Sequence, residues 1–168
     1  DEADRISNLV RKESFSVGDI REAKKKKNPY PPFTTSKLQQ EAFNKLRSSS
    51  AKTMHTAQAL YEEGLITYMR TDSVRISKDA QGPAKKYILD KFGKRYYPEK
   101  PNFYKSRKAA QEAHEAIRPA LPLREPNLIK DKLTPDQFKL YQLIWNRFIA
   151  SQMSAALLSQ TTVDIKAG

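Results

Sequence analysis

Residues 64–73 read Gly64-Leu65-Ile66-Thr67-Tyr68-Met69-Arg70-Thr71-Asp72-Ser73, and the rest of the chain is arranged to present them. A helical pattern precedes the stretch, and Gly64 is placed to end it, because glycine takes up left-handed backbone without a Cβ clash. The chain can then reverse sharply, sending Leu65 and Ile66 into a core and leaving Tyr68 at a defined point outside it. In extended backbone residues two apart share a side, so Tyr68, Arg70 and Asp72 would line one wall, with Asp72 orienting a neighbour. In a tight turn that geometry lapses. A free phenol has a pKa near ~10, so a tyrosine nucleophile at neutral pH needs a nearby cation. Arg70 supplies one, and a guanidinium also grips phosphate through two parallel hydrogen bonds. The spacing suggests chemistry on phosphate with Tyr68 and Arg70 as the catalytic pair. The same Y-x-R-x-D also describes a surface salt bridge beside a packed tyrosine.

On the N-terminal side, Ser36 with Gln39 three residues later is a capping-box signal that opens a helix carrying Leu38, Ala42 and Leu46 at successive turns. The serines at 48–50 end it. Ser50 then caps a second helix with Met54, Ala57 and Tyr61 on its buried stripe. On the C-terminal side, Ser77 caps a third helix through Phe92, aligned on Ala84, Ile88 and Phe92 and closed by Gly93. Gly82-Pro83 inside it predicts a kink or a start nearer Pro83, since interior proline costs about 3 kcal/mol. Residues 93–108 form a long basic loop with Tyr96, Tyr97, Phe103 and Tyr104 among the cations, a set suited to stacking on unpaired bases and equally to anchoring the loop. A short helix is predicted over 111–117, stopped by Arg118-Pro119, and 120–131 is connector. Thr134-Pro135-Asp136-Gln137 is a capping box with proline at the first helical position. Its helix carries Phe138, Tyr141, Ile144, Trp145, Phe148 and Ile149 as core.

Both ends read differently. Residues 1–12 carry Ile6, Leu9 and Val10 at helical spacing. Phe15 and Val17 then alternate with polar neighbours while Ile20 falls out of phase, so a strand with an irregularity is predicted before the lysine run Lys24–Lys27. Asn28-Pro29-Tyr30-Pro31-Pro32 breaks regular structure. Thr161 to Lys166 alternates as a strand with Val163 and Ile165 inward. The fold class is therefore mainly α, α+β overall: a helical domain at 32–152 inserted between strand segments of a neighbour at 1–31 and 153–168.

The chain has 168 residues, with 31 Lys plus Arg against 19 Asp plus Glu, a formal net charge of +12. The excess is concentrated in 21–27 and 91–108. Clustered cations attract polyanions, which points to nucleic acid, although they also make a solvated basic face. There is no cysteine, hence no disulfide and no thiolate metal site, in keeping with a reducing compartment. His55 and His114 are the two histidines, too few to support zinc. No apolar run reaches the ~20 residues of a membrane span. The chain begins at Asp1 and reads as a piece of a longer protein.

The run at 64–73 closely resembles the active-site segment of the type IA DNA topoisomerases. Two more segments resemble that family in the right order: P-F-T-T-S-K-L-Q-Q-E-A, Pro32 to Ala42, and Q-E-A-H-E-A-I-R-P, Gln111 to Pro119. With L-Y-Q-L-I-W and the closing T-T-V-D-I-K-A-G the resemblance covers nearly the whole chain. Met69 in Y-M-R is similar to the bacterial topoisomerase I branch. The resemblance implies relaxation of negatively supercoiled DNA without ATP: Tyr68 attacks a backbone phosphate and stays joined to the 5′ phosphate, Arg70 stabilises the phosphate, and Asp72, His114 and Arg118 support the site. It implies the tyrosine-bearing domain of a four-part torus, flanked by strands of its arch domain, in a cytoplasmic, nucleoid-associated monomer acting on single-stranded DNA. The family's Mg2+ would belong to the intact enzyme, on a separate metal-binding domain, since no D-x-D-x-E run occurs here. The zinc-ribbon tail sometimes found is missing as well. The chain alone is accordingly expected to bind single strands weakly without cleaving or relaxing DNA. A recombinase-like or type IB nucleophile would need scattered basic residues around the tyrosine, which Arg70 two positions away does not suit. A non-catalytic nucleic-acid-binding module would explain the charge but not residues 64–73.

Overall fold

The computed structural model describes residues 1–104 and 114–168. They fall into two compact units, one made of Asp1–Lys27 with Ala155–Gly168 and the other of Asn28–Ser154.

In the smaller unit, helix α1 (Glu2–Val10) is capped by Asp1 in a reciprocal capping box with Asp4. Strands β1 (Phe15–Lys27) and β2 (Ala156–Ala167) pair antiparallel. The register shifts between Val17 and Asp19, so Gly18 is the extra residue of a bulge. This shift explains why Ile20 breaks the alternation. With one residue inserted, Phe15, Val17 and Ile20 stand opposite Ala167, Ile165 and Val163, and all six share one face. Val163 and Ile165, expected inward, lie on that face yet remain exposed in this chain at 44% and 57%. The strand also continues through Lys24–Lys27, paired with Ser159–Ala156, instead of ending before them. Cross-strand pairing overrides the low strand preference of lysine.

The larger unit packs four helices, α2 (Thr35–Leu46), α3 (Ser50–Glu62), α4 (Lys78–Phe92) and α5 (Pro135–Ser151), around one core. Phe33, Leu38, Leu60, Ile88, Tyr141, Ile144 and Phe148 are wholly buried in it. The caps of α2 and α3 fall two residues and one residue before their predicted places. Thr34, not Ser36, accepts from Lys37 N–H to start α2, and Ser49, not Ser50, accepts from Lys52 N–H to start α3. In runs of adjacent hydroxyls, the residue that keeps extended backbone becomes the cap. The buried face of α3 is accordingly Thr53, Ala57 and Leu60, and Tyr61 is exposed. Helix α4 starts at Lys78 and runs on through Gly82-Pro83, with Ala80, Ala84 and Ile88 buried and Phe92 exposed. Trp145 meets Tyr87 of α4 edge to face at 5.1 Å and donates to Pro122 O. The α5 capping box forms as read, with both reciprocal bonds.

The short helix predicted over 111–117 is not formed by its described part. From His114 to Ala120 the chain is non-helical, with isolated bridges from Ile117 to Phe33 and from Pro119 to Ile66. Ala116 N–H donates to Arg75 O and Ile117 N–H to Phe33 O, so neighbouring segments satisfy this backbone and no helical ladder is needed. Residues 111–113, and the last four residues of the predicted basic loop, lie outside the described residues.

Candidate functional site

Helix α3 ends at Glu63, and Gly64 takes φ +67°, turning the chain as its sequence position suggested. Leu65 and Ile66 enter the core at once. From there burial alternates: Met69, Thr71 and Ser73 point inward, whereas Tyr68, Arg70 and Asp72 point outward. The outward triplet alternates with inward neighbours as its two-residue spacing suggests, although the backbone bends at Met69 and Arg70 and is not a regular strand.

Three segments hold this backbone in place. Thr35, at the first turn of α2, donates its hydroxyl to Met69 O (2.7 Å) and accepts from Thr71 N–H (2.8 Å), while its own N–H donates to Thr71 O. On the other side Thr67 donates its hydroxyl to Ala116 O (2.7 Å) and accepts from Arg118 N–H (3.0 Å), and its N–H donates to Arg118 O. Ala120 N–H donates to Leu65 O. Segments 33–35, 65–77 and 114–120 therefore knit into one platform, with the tyrosine between two threonine latches. Neither Thr35 nor Thr67 is singled out by the sequence reading. Their partners lie 34 to 51 residues away, so no local spacing could reveal them.

Tyr68 is 46% exposed and its ring meets that of Tyr61, on the last turn of α3, edge to face at 5.3 Å. That contact fixes the ring plane and leaves the phenol outward. Arg70, Asp72 and His114 line a cavity of about 520 Å³ together with Thr35, Ser36, Gln39 and Thr71, and Tyr68 is not among its lining residues. Among the described residues neither Arg70 nor Asp72 has an ion-pair partner. The first turn of α2 opens onto the same cavity and carries the partial positive charge of a helix N-terminus, although the amides of Thr35 and Lys37 are already taken by Thr71 O and Thr34 Oγ1. A guanidinium and a helix N-terminus converging on one concavity suit a phosphate oxygen.

Arg118 is placed differently from the other predicted site residues. It is 9% exposed and does not line the cavity. Its guanidinium donates to Glu115, to Ser77 Oγ and to the carbonyls of Pro119 and Ala120. Glu115 in turn accepts from Ser77 N–H at the start of α4. Arg118 thus ties segment 114–120 to α4 and acts on the site through the backbone it holds.

Among the described residues no three His, Cys, Asp or Glu side chains are grouped to hold a metal ion. Asp72 and His114 alone do not make the oxygen-rich site that Mg2+ requires, so these residues do not fit that ion and no step is routed through it.

The family model described as DNA topoisomerase matches residues 1–168. Among solved structures, full-length topoisomerase I from Thermotoga maritima is similar over 98% of this chain, with 38% identity and a TM-score of 0.80. The chain spans 27% of that protein's length.

Proposed function

The chain belongs to the type IA DNA topoisomerases, on the bacterial side of that family, and from this premise we propose that Tyr68 is the nucleophile that opens a DNA strand. Its phenolic oxygen forms a bond to a backbone phosphorus as the bond from phosphorus to the 3′ oxygen breaks. The 3′ oxygen leaves with that electron pair and takes up a proton, the strand stays joined to Tyr68 through its 5′ phosphate, and resealing is the reverse. The phosphotyrosine conserves the energy of the broken bond, so no ATP is consumed. Arg70 holds the non-bridging oxygens as charge develops on them, and the first turn of α2 adds its partial positive charge. Asp72 and His114 flank that anion site and hold its geometry, with Arg118 bracing the segment that carries His114.

The observation that carries this reading is the alternation over 68–73. An outward phenol and guanidinium sit on a backbone latched from both sides, and a placed nucleophile is worth far more than a mobile one. Strand passage through the opened gap relaxes negative supercoils. The partners on this reading are single-stranded DNA and the metal-binding and arch domains of a longer protein that works as a monomer in the cytoplasm at the nucleoid. The smaller unit belongs to the arch, and its exposed apolar ribbon face belongs against that domain. The 168 residues alone then bind single strands without cleaving or relaxing them. No helix among the described residues is long and apolar enough to cross a membrane.

The test is to complete the chain with the remaining family domains, add 3′-labelled single-stranded DNA and magnesium, denature, and look for label on protein. An adduct that disappears in Tyr68→Phe is expected. No adduct despite firm DNA binding would leave a binding module in place of a strand-transfer enzyme.

A further inference from the structure

The basic aromatic stretch after α4 is not used by the chemistry at Tyr68. It forms a second concavity of about 800 Å³, lined by Lys85, Leu89, Lys94, Arg95 and Tyr97, with Glu99 as its acidic member. None of these residues lines the cavity at Arg70. The backbone here is pinned from behind. Ser154 donates through its N–H to Tyr96 O and through its hydroxyl to Arg95 O, and Asn102 donates to the carbonyls of Ser151 and Met153. Tyr104 donates to Ser151 O at 2.8 Å. Asn102 and Tyr104, with Tyr97 packed against the core, therefore do the anchoring that a loop of this length needs, and Phe92 and Tyr96 are released from it.

Those others face outward. Phe92 is 46% and Tyr96 42% exposed, their centroids 6.0 Å apart, and the Arg95 guanidinium lies over the Tyr96 ring at 5.4 Å. Lys85 lies over Tyr97 at 5.4 Å. Among the described residues Lys85, Lys94 and Arg95 have no carboxylate partner. Exposed rings beside cations without a carboxylate partner are the two elements of single-strand binding, stacking for bases and charge for the backbone; Lys85, Lys94 and Arg95 line the concavity, and Tyr96, which follows Arg95 in the chain, meets Phe92 beyond the lining residues. A duplex offers no free base face to these rings.

We propose that this concavity is a second binding site for single-stranded DNA, separate from the strand held at Tyr68. Lys94 and Arg95 take consecutive phosphates and the Phe92–Tyr96 pair stacks a base. The site binds a strand and does no chemistry on it.

The test uses the 168-residue chain and a fluorescein-labelled oligothymidylate of about 12 nucleotides, titrated over a range of salt. Lys94→Gln with Arg95→Gln is expected to weaken binding and to flatten the plot of log affinity against log salt by about 1.4, the value for two phosphates on a single strand. Lys25→Gln with Lys26→Gln removes the same charge from β1 and is expected to change the slope by less than half as much. Tyr96→Ala is expected to weaken binding about tenfold with the slope unchanged, which separates stacking from charge. Thermal melting checks that each variant is folded, and because the two kinds of variant read different forces, either one decides the matter if the other misfolds. An equal loss from the β1 pair, no effect of Tyr96→Ala, or equal competition by duplex of the same length would each overturn the proposal. Adduct formation at Tyr68 is measured separately in the completed enzyme, so failure here and failure of covalent chemistry at Tyr68 are distinguished.

Discussion

Removing one hydroxyl, in Thr35→Val, should loosen the tyrosine platform while leaving its shape intact. Valine keeps the β-branch and volume but deletes both side-chain bonds to the 69–71 backbone. Thr71 N–H, which donates to Thr35 Oγ1 at 2.8 Å, loses that acceptor in a buried position. An orphaned buried donor costs about 1–3 kcal/mol. The Met69 carbonyl loses a 2.7 Å donor, a further ~1 kcal/mol. The bond from Thr35 N–H to Thr71 O survives, because it uses only backbone. The sum is about 2–4 kcal/mol, a large share of the ~5–15 kcal/mol that holds a domain of this size.

Urea unfolding of the 168-residue chain measures this loss directly, and amide exchange at Thr71 shows whether it is global or confined to the loop. Thr35→Ser keeps the hydroxyl and should stay within about 1 kcal/mol of the native protein. In the completed enzyme, Thr35→Val should slow adduct formation by on the order of 100-fold, because a nucleophile displaced by about an ångström loses that much. A loss of stability below about 0.5 kcal/mol, with Thr71 still protected from exchange, would refute the latch.

Alkaline and acid stability follow from two other groups. Burial pushes the Tyr141 phenol up to about 12, against ~10 in the unfolded chain. Its contribution is complete below pH ~10 and is lost as the pH rises towards 12. Tyr141→Phe should therefore flatten the alkaline arm of stability measured by urea unfolding, and cost about 1 kcal/mol at neutral pH through the lost bond to Arg124 O. Lys45 first, and then Arg147, holds the Glu41 carboxyl below its ordinary value. That contribution is present above the usual carboxylate range and is lost as the pH falls through the lowered pKa. Glu41→Gln should remove this part of the acid loss, with a neutral-pH cost below about 1 kcal/mol given the exposure of its lysine partner.

How far the sequence could be read depends on the range of the forces involved. The α5 capping box, the glycine turn at Gly64 and the core stripe of α5 from Tyr141 to Ile149 are set by neighbours within a turn or two and stand where the pattern puts them, whereas Phe138, expected in the core, is only half-buried and Leu140 is buried in the first part of the helix. The bulge at Gly18 shows the intermediate case. An apolar residue out of phase announced an irregularity, and only the partner strand shows that it restores a common face. The helix expected over 111–117 fails at its described end because distant backbone supplies the hydrogen bonds, and tertiary partners outweigh propensity. The outward side chains of the site were legible because their spacing is local. The threonines that hold them were not.

Two arginines in the motif segments show what local spacing leaves open. Arg118 follows Glu115 by three residues and Arg70 precedes Asp72 by two, so each has a carboxylate close in sequence. Arg118 is buried against Glu115 and two carbonyls, its donors committed to holding the chain. Arg70 points outward where the backbone bends; Asp72 also points outward and, among the described residues, closes no ion pair with it. Arg70 therefore lines the cavity without an ion-pair partner among the described residues, and Tyr68, two positions the other way, points outward as well. The alternation that turns Met69 and Thr71 into the core is what sets the proposed nucleophile and the proposed anion grip on one side of the chain.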